Sequence, residues 1–127
     1  MNALKKEIKR FLVVGCCAVG TDCGMYFLLI RWLSHSPAKA ASFISGTIVA
    51  YLLNKYWTFE QGKKSYAEIA RFAFLYISTL GVNVLVNKTS LTVFPRALVF
   101  SFLAATATST VLNFIGQKWW VFKKCLT

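Results

Sequence analysis

The sequence predicts an all-α integral membrane protein: four transmembrane helices, arranged as two parallel-repeated helical hairpins with both termini in the cytoplasm (N-in/C-in). Three observations lead there. Of the 127 residues, 57% are hydrophobic and only 15% charged, a composition that argues against a soluble enzyme. The apolar residues fall in segments of about 20, enough at 1.5 Å per residue to cross a hydrocarbon core of about 30 Å, and the segments are apolar nearly all round. The two halves of the chain also repeat each other. Helices are the only choice for such segments, because lipid offers backbone groups no hydrogen-bond partner and the alternation of a barrel strand is missing.

The first span runs from about Phe11 to Ile30 and the second from about Ala40 to Trp57, with Pro37 marking the turn after Ser34, His35 and Ser36. A polar linker at about 60–70 leads to the third span, about Phe72 to Phe94. Pro95 then breaks the chain, and the fourth span runs from about Ala97 to Gln117. We read 1–127 as a single membrane domain, with repeat one at about 10–59 and repeat two at about 71–122. Val13-Val14-Gly15-Cys16 resembles a lipoprotein processing site. The apolar run continues well past Cys16, however, and cleavage there would destroy the internal symmetry, so an uncleaved first span is expected. Cys16, Cys17 and Cys23 are read as packing residues of that span, and Cys125 as a free thiol on a reducing side.

Lys and Arg number 15 against 4 Asp and Glu, a formal charge of +11 that would ordinarily suggest a nucleic-acid partner. Here the cations sit between spans, so they report topology first and no nucleic acid is expected. Lys5, Lys6, Lys9, Arg10, Lys55, Lys63, Lys64, Arg71, Lys118, Lys123 and Lys124 fall on one side, and Arg31, Lys39 and Arg96 on the other. The excess marks the cytoplasmic face. Tyr56, Trp57 and Phe59, and likewise Trp119, Trp120 and Phe122, fall where an inner-leaflet aromatic belt belongs. The tryptophans could also stack on a sugar ring.

Arg10-Phe11 recurs as Arg71-Phe72, and Gly20-Thr21-Asp22 as Gly81-Val82-Asn83, at an offset of 61. After two extra residues in the loop, Asn54-Lys55-Tyr56-Trp57-Thr58-Phe59 aligns with Gln117-Lys118-Trp119-Trp120-Val121-Phe122 at an offset of 63. Each unit starts and ends on the same side, so the repeats are parallel. Ser42, Gly46, Ala50 and Asn54 recur at every fourth residue, as do Ser101, Ala105, Ser109, Asn113 and Gln117. Such stripes suit a close helix–helix seam. Near the cytoplasmic end, Asn54, Asn113 and Gln117 beside Lys55 and Lys118 equally suit a polar head-group site. Cys16, Gly20 and Gly24 form a second small-residue face, and these faces exceed what one hairpin contact uses, which predicts a homodimer.

Asp22 is the sole acid within a span and falls near mid-membrane, where an ionised carboxylate costs about 2.5–3.5 kcal/mol unless protonated, paired or wetted. Asn83, Asn87 and Lys88, with Thr79, are candidate partners on the third span, and with Asp22 they make up a candidate translocation path. Lys88 equally well snorkels to the outer surface.

These features together resemble the GtrA family of small four-helix membrane proteins. The resemblance runs from Arg10 to Phe122 and rests on Arg10-Phe11 with Asp22, on Tyr51-Leu52-Leu53-Asn54-Lys55-Tyr56-Trp57-Thr58-Phe59, and on Gln117-Lys118-Trp119-Trp120-Val121-Phe122. It implies a multi-pass protein of the bacterial inner membrane that moves polyprenyl-phosphate-linked sugars to the outer leaflet for cell-surface polysaccharides. The chain departs from the family's pattern in the third span, at Asn83 and Lys88. Such a lipid has a polar sugar and one phosphodiester charge that resist crossing. A polar groove open to the bilayer is therefore needed, with cations near the inner head-groups to collect phosphate. Arg10, Arg71, Lys55 and Lys118 come in symmetric pairs at that depth.

A catalytic reading finds no support. A lone histidine, His35, gives no His-based metal cluster, no Gly-rich loop ends in Gly-Lys-Ser/Thr, and no acidic pair is spaced for hydrolysis. Neither enzyme activity, nor cofactor, nor metal is expected. Two other functions compete: a small proton-coupled multidrug or cation exporter using Asp22, and a non-transporting anchor that recruits a glycosyltransferase through its basic face.

Overall fold

The computed structural model describes residues 2–63 and 65–123, with the backbone alone for His35 and Ser36. Lys64, Lys124 and Cys125 lie outside the described residues. Among those described, every regular element is helical: α1 (Asn2–Leu29), α2 (His35–Leu53), a π-helical turn π1 (Asn54–Thr58), α3 (Tyr66–Val93), α4 (Leu98–Gly116) and a second π-helical turn π2 (Gln117–Val121). The chain divides into two compact units, Met1–Gly62 and Lys63–Thr127, each one antiparallel hairpin.

Three helical segments, Asn2–Leu29, Tyr66–Val93 and Leu98–Val121, are long and apolar enough to cross a membrane. Against the expectation of four, α2 falls short on that criterion, because Lys39 and its Ser, Ala and Gly residues dilute its apolar content. Burial is inverted relative to a water-soluble fold. Large apolar side chains such as Phe27, Phe74, Ile77 and Val99 point outward, while the seams bury Ala38, Ser42, Ala50, Ser101, Ala105 and Gln117. Small residues at the seam let the backbones approach, which is how helices associate where lipid removes the hydrophobic drive.

Two boundaries differ from the sequence reading. The first helix starts at Asn2, because Lys5 to Arg10 contains good helix formers and no breaker, so α1 extends beyond its apolar part. The turn between α1 and α2 lies at residues 30–34, and Pro37 stands inside the first turn of α2 rather than marking the loop. Proline is tolerated there, since the first backbone N–H groups of a helix have no intrahelical acceptor. The N-terminus of α3 is capped by Ser65, whose hydroxyl accepts from the Glu68 N–H at 3.4 Å within a Ser-x-x-Glu box. Pro95 follows the end of α3, as expected.

The three described cysteines require a correction. Cys16, Cys17 and Cys23 are free and exposed on α1, so they do not pack the hairpin seam. Gly20 and Gly24 likewise have nothing within 4 Å of an added β-carbon.

Candidate functional site

Each hairpin ends, at its basic end, in a π-turn at the repeat-equivalent position. The Phe59 N–H bonds the Asn54 carbonyl at 2.8 Å, and the Phe122 N–H bonds the Gln117 carbonyl at 2.8 Å. This wider i→i+5 turn is a local irregularity that recurs at functional sites. It brings the first residue of the turn and those four and five further on to one side. Asn54, Thr58 and Phe59 are therefore all buried in hairpin one, and Gln117, Val121 and Phe122 in hairpin two. The Thr58 hydroxyl donates to Asn54 Oδ1 at 2.9 Å.

In hairpin one, Phe59 meets Phe11 with ring centroids 6.4 Å apart, which sets Arg10 over the turn. The Arg10 guanidinium donates to the Trp57 carbonyl at 2.6 Å and to Glu60 Oε1 at 2.9 Å, and it lies 5.1 Å from the Trp57 ring centroid. Lys6 reaches the same carboxylate oxygen at 3.2 Å. Hydrogen bonds from Lys6 and Arg10 hold the Glu60 carboxyl below its ordinary value of 4.5. Lys55 is only 2% exposed, its ammonium 5.6 Å from the Tyr51 ring and 5.4 Å from that of Tyr56. A recess beside this end is lined by Asn2, Lys5, Lys6, Lys9 and Arg10.

Hairpin two repeats the frame with other partners. Phe72 meets Phe122 at 6.2 Å, and Arg71 donates one long bond, 3.4 Å, to the Val121 carbonyl. The Arg71 Nε is buried with no hydrogen-bond partner. Lys118 lies 5.3 Å from the Trp119 ring centroid, Trp120 meets Phe74 edge-on, and Gln117 is fully buried at the start of π2.

The seams carry the remaining candidates. Asp22 takes partners from its own hairpin, which the sequence did not pair with it: Lys39 Nζ lies 2.9 Å from each carboxylate oxygen, and the Ser42 hydroxyl 2.6 Å from Oδ1. Asn83, the repeat equivalent of Asp22, donates to the Ser109 hydroxyl at 3.0 Å, and Thr79 donates to Asn113 Oδ1 at 2.8 Å. Gly46, the equivalent of Ser109, stands against the β-carbon of Asp22. The two hairpins thus share one register but fill it differently, hairpin one with a charge pair and hairpin two with neutral hydrogen bonds. Asn87 is half-buried, and Lys88 is exposed on α3. Along α1, Arg10 and Asp22 are separated by about 18 Å, so the basic end and the acid do not form one cluster.

The GtrA/DPMS transmembrane-domain family matches residues 10–122 of this chain. The chain belongs to that family. It is 36% identical over 127 residues to the membrane protein YngA of Bacillus subtilis (strain 168), covering 94% of this chain and 83% of the relative. No solved structure matches. The matched stretch begins at Arg10 and ends at Phe122, and so takes in both π-turns, both arginines and Asp22. GtrA/DPMS membership, with three helices able to cross a membrane and an outward apolar surface, makes this a membrane protein related to polyprenyl-phosphate-sugar chemistry.

Sequence reasoning did not pair Lys39 and Ser42 with Asp22, and it missed Glu60. For the pairing a signal was present. Asp22 and Ser42 lie equally far from Trp32, the centre of the turn, so an antiparallel hairpin sets them at one depth with Lys39 a turn away. Glu60 carried no such signal, because its contact depends on how the chain leaves π1, through a left-handed backbone with φ of 51°.

Proposed function

We propose that this GtrA/DPMS protein moves polyprenyl-phosphate-linked sugars from the cytoplasmic to the outer leaflet, without enzymatic chemistry, for cell-surface glycan assembly. The observation that carries this reading is the under-coordinated Arg71: a guanidinium with one long bond and a buried, unpartnered Nε, beside the π-turn that bears Gln117 and Lys118. A buried donor of this kind is costly unless an acceptor visits it, and a phosphodiester offers a negative charge and two non-bridging oxygens spaced for the planar guanidinium fork. Lys55 in its tyrosine frame and Arg10 over Trp57 are the counterparts in hairpin one. The polar seam groups Thr79, Asn83, Ser109 and Asn113 then offer the sugar hydrogen bonds along the way.

This reading takes four spans, with both basic ends in the cytoplasm of a bacterial inner membrane, and a homodimer contacting through the open Gly20 and Gly24 face of α1. The recess of Lys5, Lys6 and Lys9 suits an acidic surface of a partner glycosyltransferase. The cation-exporter alternative needs a carboxylate free for cargo, and Lys39 on both oxygens of Asp22 weighs against it. The test is reconstitution in liposomes with labelled farnesyl-phosphoglucose. Protein-dependent movement of the label between leaflets is expected, and movement equal to that of protein-free liposomes would overturn the proposal.

A further inference from the structure

The Asp22–Lys39 pair has no counterpart in hairpin two. Asn83, at the position of Asp22, bonds Ser109 as a neutral pair, Phe102 stands at the position of Lys39, and neutral groups avoid the cost of bringing two charges into a seam. The pair is also lopsided. The Lys39 side chain is 59% exposed and that of Asp22 only 20%, so the carboxylate is sheltered while the ammonium faces outward. Ser42 fixes the carboxylate from below. Its single proton serves Oδ1 at 2.6 Å, in preference to the Lys39 carbonyl at 3.0 Å. An ammonium has three N–H bonds, and Asp22 engages two, at 2.9 Å each. The Tyr26 ring flanks the nitrogen at 6.0 Å.

We propose that Lys39 is an outer-leaflet phosphate-receiving site: its remaining N–H donates to the lipid phosphodiester at the loop end of hairpin one, while Asp22 holds the ammonium in place and offsets its charge so that the lipid departs. This inference rests on the translocation reading and its topology. A bare lysine at that level would retain a phosphodiester, and a lysine neutralised by a fixed carboxylate binds it weakly. Asp22 is then a positioning residue that sets the release rate, not a group that touches substrate.

The experiment uses the full chain in phosphatidylcholine nanodiscs, with farnesyl-phosphoglucose as probe and phosphatidylglycerol as a second anionic lipid. Asp22→Asn is expected to bind the phosphosugar about tenfold more tightly and to release it more slowly, as an uncovered charge-assisted contact should. Asp22→Asn with Lys39→Gln should abolish that gain, and Asp22→Asn with Lys39→Arg should keep it. The exchange Asp22→Lys with Lys39→Asp retains an ion pair but moves the ammonium to the sheltered side. It should fold with wild-type melting and lose outward transport. Unchanged affinity in folded Asp22→Asn, or wild-type transport by the exchanged pair, would overturn the inference alone. Equal tightening for phosphatidylglycerol would make Lys39 a general lipid-anion contact and overturn it too. A wild-type protein that neither binds nor moves the phosphosugar overturns this inference together with the translocation reading.

Discussion

Gly46 packs so closely on α1 that a β-carbon added to it would stand 2.8 Å from the Ala18 carbonyl oxygen and 3.3 Å from the β-carbon of Asp22. A backbone oxygen in a helix cannot move aside. Gly46→Ala gains about 1 kcal/mol of helix propensity but overpacks the seam at a cost of about 1–3 kcal/mol. At Gly116 the neighbour is the Leu75 side chain, 2.5 Å from an added β-carbon, whose flexible end can rotate away. At Gly20 the space is open. Melting in detergent should therefore fall most for Gly46→Ala and less for Gly116→Ala, while Gly20→Ala leaves the hairpin seam itself undisturbed.

Arg71 and Arg10 are sequence equivalents in unequal states. Arg10 is engaged by the Trp57 carbonyl and Glu60, whereas Arg71 has a buried, unpartnered Nε. Arg71→Gln should accordingly weaken farnesyl-phosphoglucose binding about tenfold, the range of a lost charge-assisted hydrogen bond, and more than Arg10→Gln does. Lys55→Gln should weaken it nearly independently of salt, because Lys55 is buried, while the effect of the more exposed Lys118→Gln should shrink as salt rises. Equilibrium binding at low and high ionic strength separates these outcomes.

The Glu60 cluster sets a pH dependence outside the membrane-spanning segments. Its carboxyl is depressed by Lys6 and Arg10, so any stabilisation it provides is present above the ordinary carboxylate value and is lost as pH falls through the lowered one. Wild type and Glu60→Gln should differ slightly in melting at neutral pH and low salt, and converge below the carboxylate range. High salt should also bring them together, because the Glu60 side chain is 52% exposed.

Topology is checked by reporter fusions. Fusions at the N-terminus, at Lys63 and after Lys123 should report cytoplasm, and fusions at Ser36 and Arg96 the outside. The fusion at Ser36 is the informative one, because α2 is the helix whose own hydropathy does not suffice for a span.

The polar ladder of hairpin two should be modest in energy. A double-mutant cycle between Asn83→Ala and Ser109→Ala should give about 0.6 kcal/mol of coupling, the average for hydrogen bonds between membrane helices.

The sequence by itself determined the helical class, the approximate helices and the repeat, because hydropathy and periodicity are properties of contiguous residues. It also singled out Arg10, Arg71 and the Asn54-Lys55 and Gln117-Lys118 pairs, because a repeat exposes equivalent positions without any knowledge of contacts. Only the tertiary structure decided who meets whom. Asp22 was legible as a costly acid, but its pairing with Lys39 and Ser42 follows from the register of α2 against α1, which the short turn at residues 30–34 sets. Pro37 looked like the turn because proline lacks an N–H, yet the first turn of a helix needs none. The π-turns were invisible for a related reason. Widening a helix by one residue is unfavourable locally and is compensated only when Phe59 and Phe122 close against Phe11 and Phe72, contacts made across the hairpin rather than along the chain.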